Sequence, residues 1–289
     1  MIKINLGDYI EKGIEWLSVK GDGFFGGITT GIEALVDAMQ GALLFLPSWV
    51  MILLFAVGSY ALKSRGMKFF SKKAFKEAGG FTLFTILGLL LLDGMSFWEE
   101  TMETFALVLA SALLALVIGI PLGIYSARND RAEQIIRPIL DFMQTMPAFV
   151  YLIPAILFFS VGNVPGVVAT VVFSLPPAVR LTNLGIRGVP KDVVEASQAF
   201  GATSRQLLYK VQIPLAKPTI LAGVNQVIML ALSMVVIASM VGASGLGQEV
   251  YKGILKADIG LGFEAGLGIV VLAIILDRLT QALGTSRTK

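Results

Sequence analysis

The stretch ETFALVLASALLALVIGIPLGIYS runs from Glu103 to Ser126, and beyond Glu103 it carries no charged side chain. The hydrocarbon core of a bilayer is about 30 Å thick, and a helix of about 20 apolar residues crosses it. In lipid the backbone must bond to itself, as a helix does, and Gly119 and Pro121 are tolerated where neighbouring helices pack around them. The stretch therefore reads as a transmembrane helix. The same reading finds six more, at 46–62, 79–93, 147–162, 164–182, 218–241 and 264–282, of which 79–93 and 147–162 are short for a crossing. Composition agrees: 55% of residues are hydrophobic and 15% charged, where soluble domains carry about 25% charge. Mean hydropathy is +0.79. The expected fold is an all-α integral membrane protein of about seven spans.

Composition also excludes chemistry. The chain has no Cys and no His, which removes thiolate nucleophiles, disulfides, Ser–His pairs and the commonest metal ligands. No G-x-x-x-x-G-K-[ST] phosphate loop is present, so the chain is not expected to hydrolyse ATP itself. A membrane enzyme would need an Asp pair or a Ser–Lys dyad in the bilayer, and neither stands out. Ion-coupled carriers place carboxylates within the membrane. No charge pair sits mid-span in the last five helices, where Asp277 and Arg278 lie near one end of the last. Residues 3–22 alternate charged and apolar groups, as in Asp8-Tyr9-Ile10-Glu11-Lys12, and do not read as a signal peptide.

Charge sets the orientation. Placing 63–77, 127–146, 180–217 and the C-terminus on one side gives that side 18 of the 23 basic residues and 7 of the 20 acidic ones, a net +11 against −8 opposite. The positive-inside rule makes the first side cytoplasmic. Seven spans then leave the N-terminus and residues 1–45 outside. Within that segment Ile28, Ile32, Leu35, Val36, Met39 and Leu43 recur at helical spacing, with Glu33, Asp37 and Gln40 on the other face. This is an amphipathic helix on the outer membrane surface or against the bundle, read as a scaffold element.

Most loops are short, but 183–217 is long, and a loop of that length is functional or disordered. Its residues argue for order. Pro190 can open a helix, continued by Val193, Val194, Ala196 and Ala199. Gly201 can supply the left-handed stop. Thr203 can cap a second helix with Gln206 completing a capping box, and Leu207, Leu208 and Val211 continue it to Pro214. The expectation is two short helices forming a cytoplasmic knob, whose small residues Ala196, Ser197, Ala199 and Ala202 let a partner surface close over it. The run Ala199–Leu207 also has the look of a helix-turn-helix turn. Both its ends are tied to spans, so binding to nucleic acid is not expected.

At this point the residues resemble a family. Glu195-Ala196-Ser197, Gly201 and Val211-Gln212-Ile213-Pro214 follow the pattern Glu-Ala-Ala, three residues, Gly, nine residues, Ile-x-Leu-Pro of permease subunits of type I ABC importers. Ser197, Val211 and Ile213 are mild departures. Other stretches resemble the glycine betaine/proline betaine permeases of bacterial osmoprotectant uptake: Asp141–Tyr151, Gly162–Val168, Ser174-Leu175-Pro176-Pro177 and Val241–Val250.

The resemblance implies a type I permease core in the last five spans, a bacterial cell-membrane location and a homodimer. It implies a separate cytoplasmic ATPase that binds ATP and magnesium and docks on the loop, so no cofactor is expected in this chain. It also implies an extracytoplasmic binding protein that delivers the solute, with choline or carnitine as the alternative cargo. The turn carrying Gly242, Gly245 and Gly247 is implied as part of an outer gate, with an ordinary re-entrant turn as the rival reading. Phe149, Tyr151, Phe158, Phe159 and Phe173 read as packing residues ahead of gate residues. The implied domains are 1–45 outside, 46–98 as two accessory spans, 99–283 as the permease domain and 284–289 as a cytoplasmic tail.

Overall fold

The computed structural model describes residues 13–14, 16–17, 20–64 and 72–284. Expectations placed on residues 1–12, on the basic link at 65–71 and on the tail beyond 284 fall outside them. All regular structure among the described residues is helical.

The core is built from α4 (Trp98–Arg128), α7 (Asn163–Arg187) and α9 (Ser204–Ser239). The apolar stretch that opened the reading lies within α4, whose 31 residues extend about 46 Å at 1.5 Å per residue. In lipid, helices associate through close packing of small residues, because burying apolar surface there brings no hydrophobic gain. Gly119 and Gly123 do this for α4: an added Cβ would lie 2.5 Å from the Cβ of Ala178 and of Thr182 on α7, respectively. Gly223 does it for α9, where a Cβ would lie 3.1 Å from Leu181 Cβ.

α11 (Ile259–Gly284) packs beside α9 and is fastened to it by polar side chains. Asn225 Nδ2 donates to Asp277 Oδ1 at 3.1 Å, Thr280 Oγ1 to Asn225 Oδ1 at 2.5 Å, and Gln281 Nε2 to both Asp277 oxygens at 2.8 Å. The carboxylate near the end of the last helix is thus engaged in packing. α2 (Ser48–Lys63) and α3 (Lys72–Gly94) pair with each other and lie on α11, through Ile52, Leu89 and Leu92 against Val271 and Ile275.

α1 (Asp22–Leu44) meets α2 at a 98° bend where Pro47 starts the new helix. Its apolar stripe faces the bundle. Val36 is 1% exposed and Ile32 9%, packed with Leu107 and Ala110 of α4, Val164 and Val167 of α7, and Ala238 of α9. Phe25 stacks on Phe158 at 4.5 Å between ring centres.

Among the described residues, four helices are long and apolar enough to cross a membrane alone: α4, α7, α9 and Ile259–Ala282 of α11. The expected span at 147–162 is not a single helix. α5 (Asp130–Thr145), a 3₁₀ turn (Ala148–Tyr151) and α6 (Leu152–Phe159) form a pair bent by 108°. Pro147 lacks an N–H and forces the preceding residue out of the helical region; Met146 accordingly sits at φ −74°, ψ 134°. Eight residues of α6 reach only about 12 Å, so α6 alone is too short for the expected span, and only together with α5, a segment assigned above to a loop, is the bent pair long and apolar enough to cross.

α5 is strongly amphipathic and clasps α7 with charges. Arg187 Nη2 meets Asp130 Oδ1 at 2.7 Å and Glu133 Oε2 at 2.8 Å, and Arg180 pairs with Asp141. Arg180 lies inside the expected 164–182 span, so an ion pair does occur there, about two turns from the end of α7.

Candidate functional site

The loop after α7 is ordered throughout. Gly188 caps α7, where an added Cβ would lie 2.9 Å from Leu184 O. Pro190 is the N-cap of α8 (Lys191–Ala199), one position earlier than expected, and Asp192 in the first turn complements the helix dipole. Ser197 Oγ donates to Val193 O at 2.7 Å. Gly201 takes φ +81°, a region that costs an L-residue about 1–2 kcal/mol. There Gly201 N–H reaches Gln198 O at 2.9 Å and Ala202 N–H reaches Ser197 O at 3.1 Å. The capping box forms as the sequence indicates: Gln206 N–H donates to Thr203 Oγ1 at 3.3 Å and Thr203 N–H to Gln206 Oε1 at 2.8 Å.

The second helix does not stop at Pro214. It passes through a π-turn at Leu207–Gln212 and continues unbroken as α9 to Ser239. Ile213 N–H bonds Leu208 O, five residues back. This wider turn precedes Pro214, which has no N–H to donate. The knob is therefore one free helix, α8, hooked onto the start of a long span.

The motif divides accordingly. Glu195, Ala196 and Gly201 are exposed on the hook, with Ser197 and Ala202 half-buried. Val211 and Ile213 are half-buried at the π-turn, where Ile213 packs against Ile186, Leu208 and Ala216. Pro214 is exposed beside them. Phe200, which the motif does not include, is 93% exposed at the tip of the hook. Beneath the hook lies a cleft of about 470 Å³, lined on its polar side by Arg128, Arg187, Lys191, Glu195 and Gln198.

The turn at the other end of α9 is built in the opposite way. Gly242 and Gly245 take φ +94° and +98°. At Gly245 an added Cβ would lie 2.4 Å from Thr104 Oγ1, and Leu246 N–H donates to that same oxygen at 2.8 Å. Gly247, in the first turn of α10 (Leu246–Lys256), is needed for space, since a Cβ would lie 2.5 Å from Val235 O. Val241 O accepts from Gly162 N–H at 2.9 Å, and Asn163 Oδ1 accepts from Ser244 N–H at 2.9 Å. The turn is thus tied to the junction of α6 and α7. Of the five aromatic candidates, Phe158 and Phe159 pack with Phe25, Tyr151 donates to Met143 O, Phe173 packs near Leu152, and Phe149 is exposed. Among the described residues no group of acidic side chains could hold a metal ion.

Residues 119–289 match the family described as binding-protein-dependent transport system inner membrane component. The chain is 52% identical over 279 residues to the glycine betaine/carnitine transport permease protein GbuB of Listeria monocytogenes, covering 96% of this chain and 95% of that one. It is 48% identical over 279 residues to the glycine betaine transport system permease protein OpuAB of Bacillus subtilis, covering 96% and 94%. The fold is similar to the MetNI methionine ABC transporter in an inward-facing conformation, with a TM-score of 0.60 at 23% identity over 64% of this chain and 93% of that one.

Proposed function

The chain belongs to the inner membrane components of binding-protein-dependent transport systems, and on that premise we propose that it is the permease subunit of an ATP-driven importer of glycine betaine and related compatible solutes. It is a multi-pass membrane protein and a non-catalytic subunit. The single observation that carries the coupling role is the hook: an ordered helix pushed clear of the bundle, with Glu195 and Ala196 exposed on it and Phe200 at its tip. An apolar ring held in water by a capped, glycine-stopped turn fits a pocket on a partner. We assign that partner as a separate ATPase subunit, which would hold ATP and magnesium. Glu195, Ala196, Ser197, Gly201 and Ala202 would form the docking face, while Val211, Ile213 and Pro214 fix the root of the hook.

The remaining parts follow from the same reading. The α8 end faces the cytoplasm, as the excess of Lys and Arg requires. The turn at Gly242–Gly247 faces out, where a binding protein delivers the solute, and two copies of the chain enclose one pathway. Single cysteines test the orientation without interference from native thiols. An impermeant thiol reagent should label Asp258→Cys but not Gln198→Cys in intact cells, and the reverse pattern would sink the assignment.

Uptake of labelled glycine betaine, carnitine and choline by the reconstituted complex tests the substrate. Glycine betaine should accumulate in an ATP-dependent manner. Accumulation of carnitine or choline alone would keep the mechanism and change the cargo.

A further inference from the structure

Arg187 is the last residue of α7, and three parts of the molecule meet at its guanidinium. It grips Asp130 and Glu133 in the first turn of α5 and donates to Ser126 O of α4 at 3.0 Å. It also lines the cleft beneath α8. Only Gly188, Val189 and Pro190 separate it from that helix, and Val189 is buried, so the link is short and has little slack.

We propose that Arg187 is a positioning residue for transport, handing movement of the hook helix α8 to the bent pair α5–α6. The proposal rests on the coupling reading above. A force on α8 arrives first at the end of α7, and Arg187 passes it sideways to α5. Arg180 and Asp141 repeat the grip farther along the same two helices. α5 ends at the 108° joint before Pro147, which no backbone helical bond spans and which, among the described residues, only the Tyr151 hydroxyl bridges with a hydrogen bond, donating to Met143 O; it can act as a hinge. Beyond the joint, α6 leads to Gly162, whose N–H is bonded to Val241 O beside the glycine turn. The bent pair thus connects the charged end of the bundle to the turn at the other.

The rival role is purely local: a basic side chain at a helix C-terminus complements the dipole. The ion pairs are partly exposed, with Asp130 81% exposed and Arg187 34%, and such pairs add little stability. Loss of a local cap would lower the amount of folded protein, while transport per ATP hydrolysed stayed the same. Loss of a linkage would leave hydrolysis running and lower transport per ATP.

The test uses the complex with its ATPase in lipid nanodiscs. Spin labels on Ile135→Cys in α5 and Leu113→Cys in α4 report the position of α5, since both sites are exposed. Trapping with ATP and vanadate should change that distance in the parent chain. In Arg187→Gln the change should be absent, although a label at Gln198→Cys still becomes immobilised on docking. Transport per ATP hydrolysed should fall about tenfold, within the usual range for coupling between sites. Arg187→Lys should keep part of the movement, and Arg187→Glu combined with Glu133→Arg should restore more than either change alone. An unchanged α5 movement in Arg187→Gln, or no movement in the parent chain, overturns the proposal. A label at 198 that stays mobile in the parent complex instead defeats the docking reading beneath it.

Discussion

The hook after α8 and the turn after α9 each pivot on a left-handed glycine, yet the two glycines are there for different reasons. Around Gly201 nothing lies within 4 Å of an added Cβ, whereas at Gly245 such a Cβ would meet Thr104 Oγ1 at 2.4 Å and Glu100 O at 3.0 Å. One glycine sits in an open turn, and the other in a junction that must close. Positive φ alone does not separate an exposed turn from a packed one. The space around it does.

That contrast can be broken or sharpened by mutation. The largest effect is expected from Gly245→Val, which adds backbone strain of about 1–3 kcal/mol to overpacking of about 1–3 kcal/mol. Thermal unfolding of the purified protein should show a strongly lowered Tm or no folded material, and a Tm close to the parent's would refute the close junction. Next is Phe200→Ala on the hook. Losing an interface anchor costs about 2 kcal/mol or more, about thirtyfold in ATPase affinity, with Tm unchanged. Equal affinity in a pull-down titration would remove Phe200 from the docking face.

Thr203→Ala should cost about 1 kcal/mol through loss of the cap. It should raise hydrogen exchange in the hook, and protection equal to the parent's would contradict the capping box. Of the two glycine changes, the smaller effect on stability is expected from Gly201→Ala. Its strain of about 1–2 kcal/mol is confined to an exposed turn, so Tm should barely move while ATPase stimulation declines. A Tm drop like that of Gly245→Val would erase the distinction drawn here.

Local chemistry explains what could be read in advance. Thr203 and Gln206 need only each other, and Gly201 needs only its own φ, so the capping box and the stop were visible in the residues. The stretch at 103–126 needed only its apolar length. The exposure of Phe200 was not legible, because exposure is a property of what is absent around a side chain. The continuation of the second helix past Pro214 was overlooked because a π-turn depends on a shift in bonding that no spacing rule signals. Arg180 and Arg187 entered the reading as charges that orient the chain. Their partners Asp130, Glu133 and Asp141 lie 39 to 57 residues away, and only folding brings them together.

By itself, then, the sequence determined that this is a helical membrane protein with a structured loop, because hydropathy, charge bias and capping are read from residues close together along the chain. Tertiary structure decided which of those residues stay exposed, which lock the bundle and where an apolar stretch bends. Those outcomes depend on distances between segments far apart in the chain, where a single added carbon at Gly245 meets another helix and at Gly201 meets nothing.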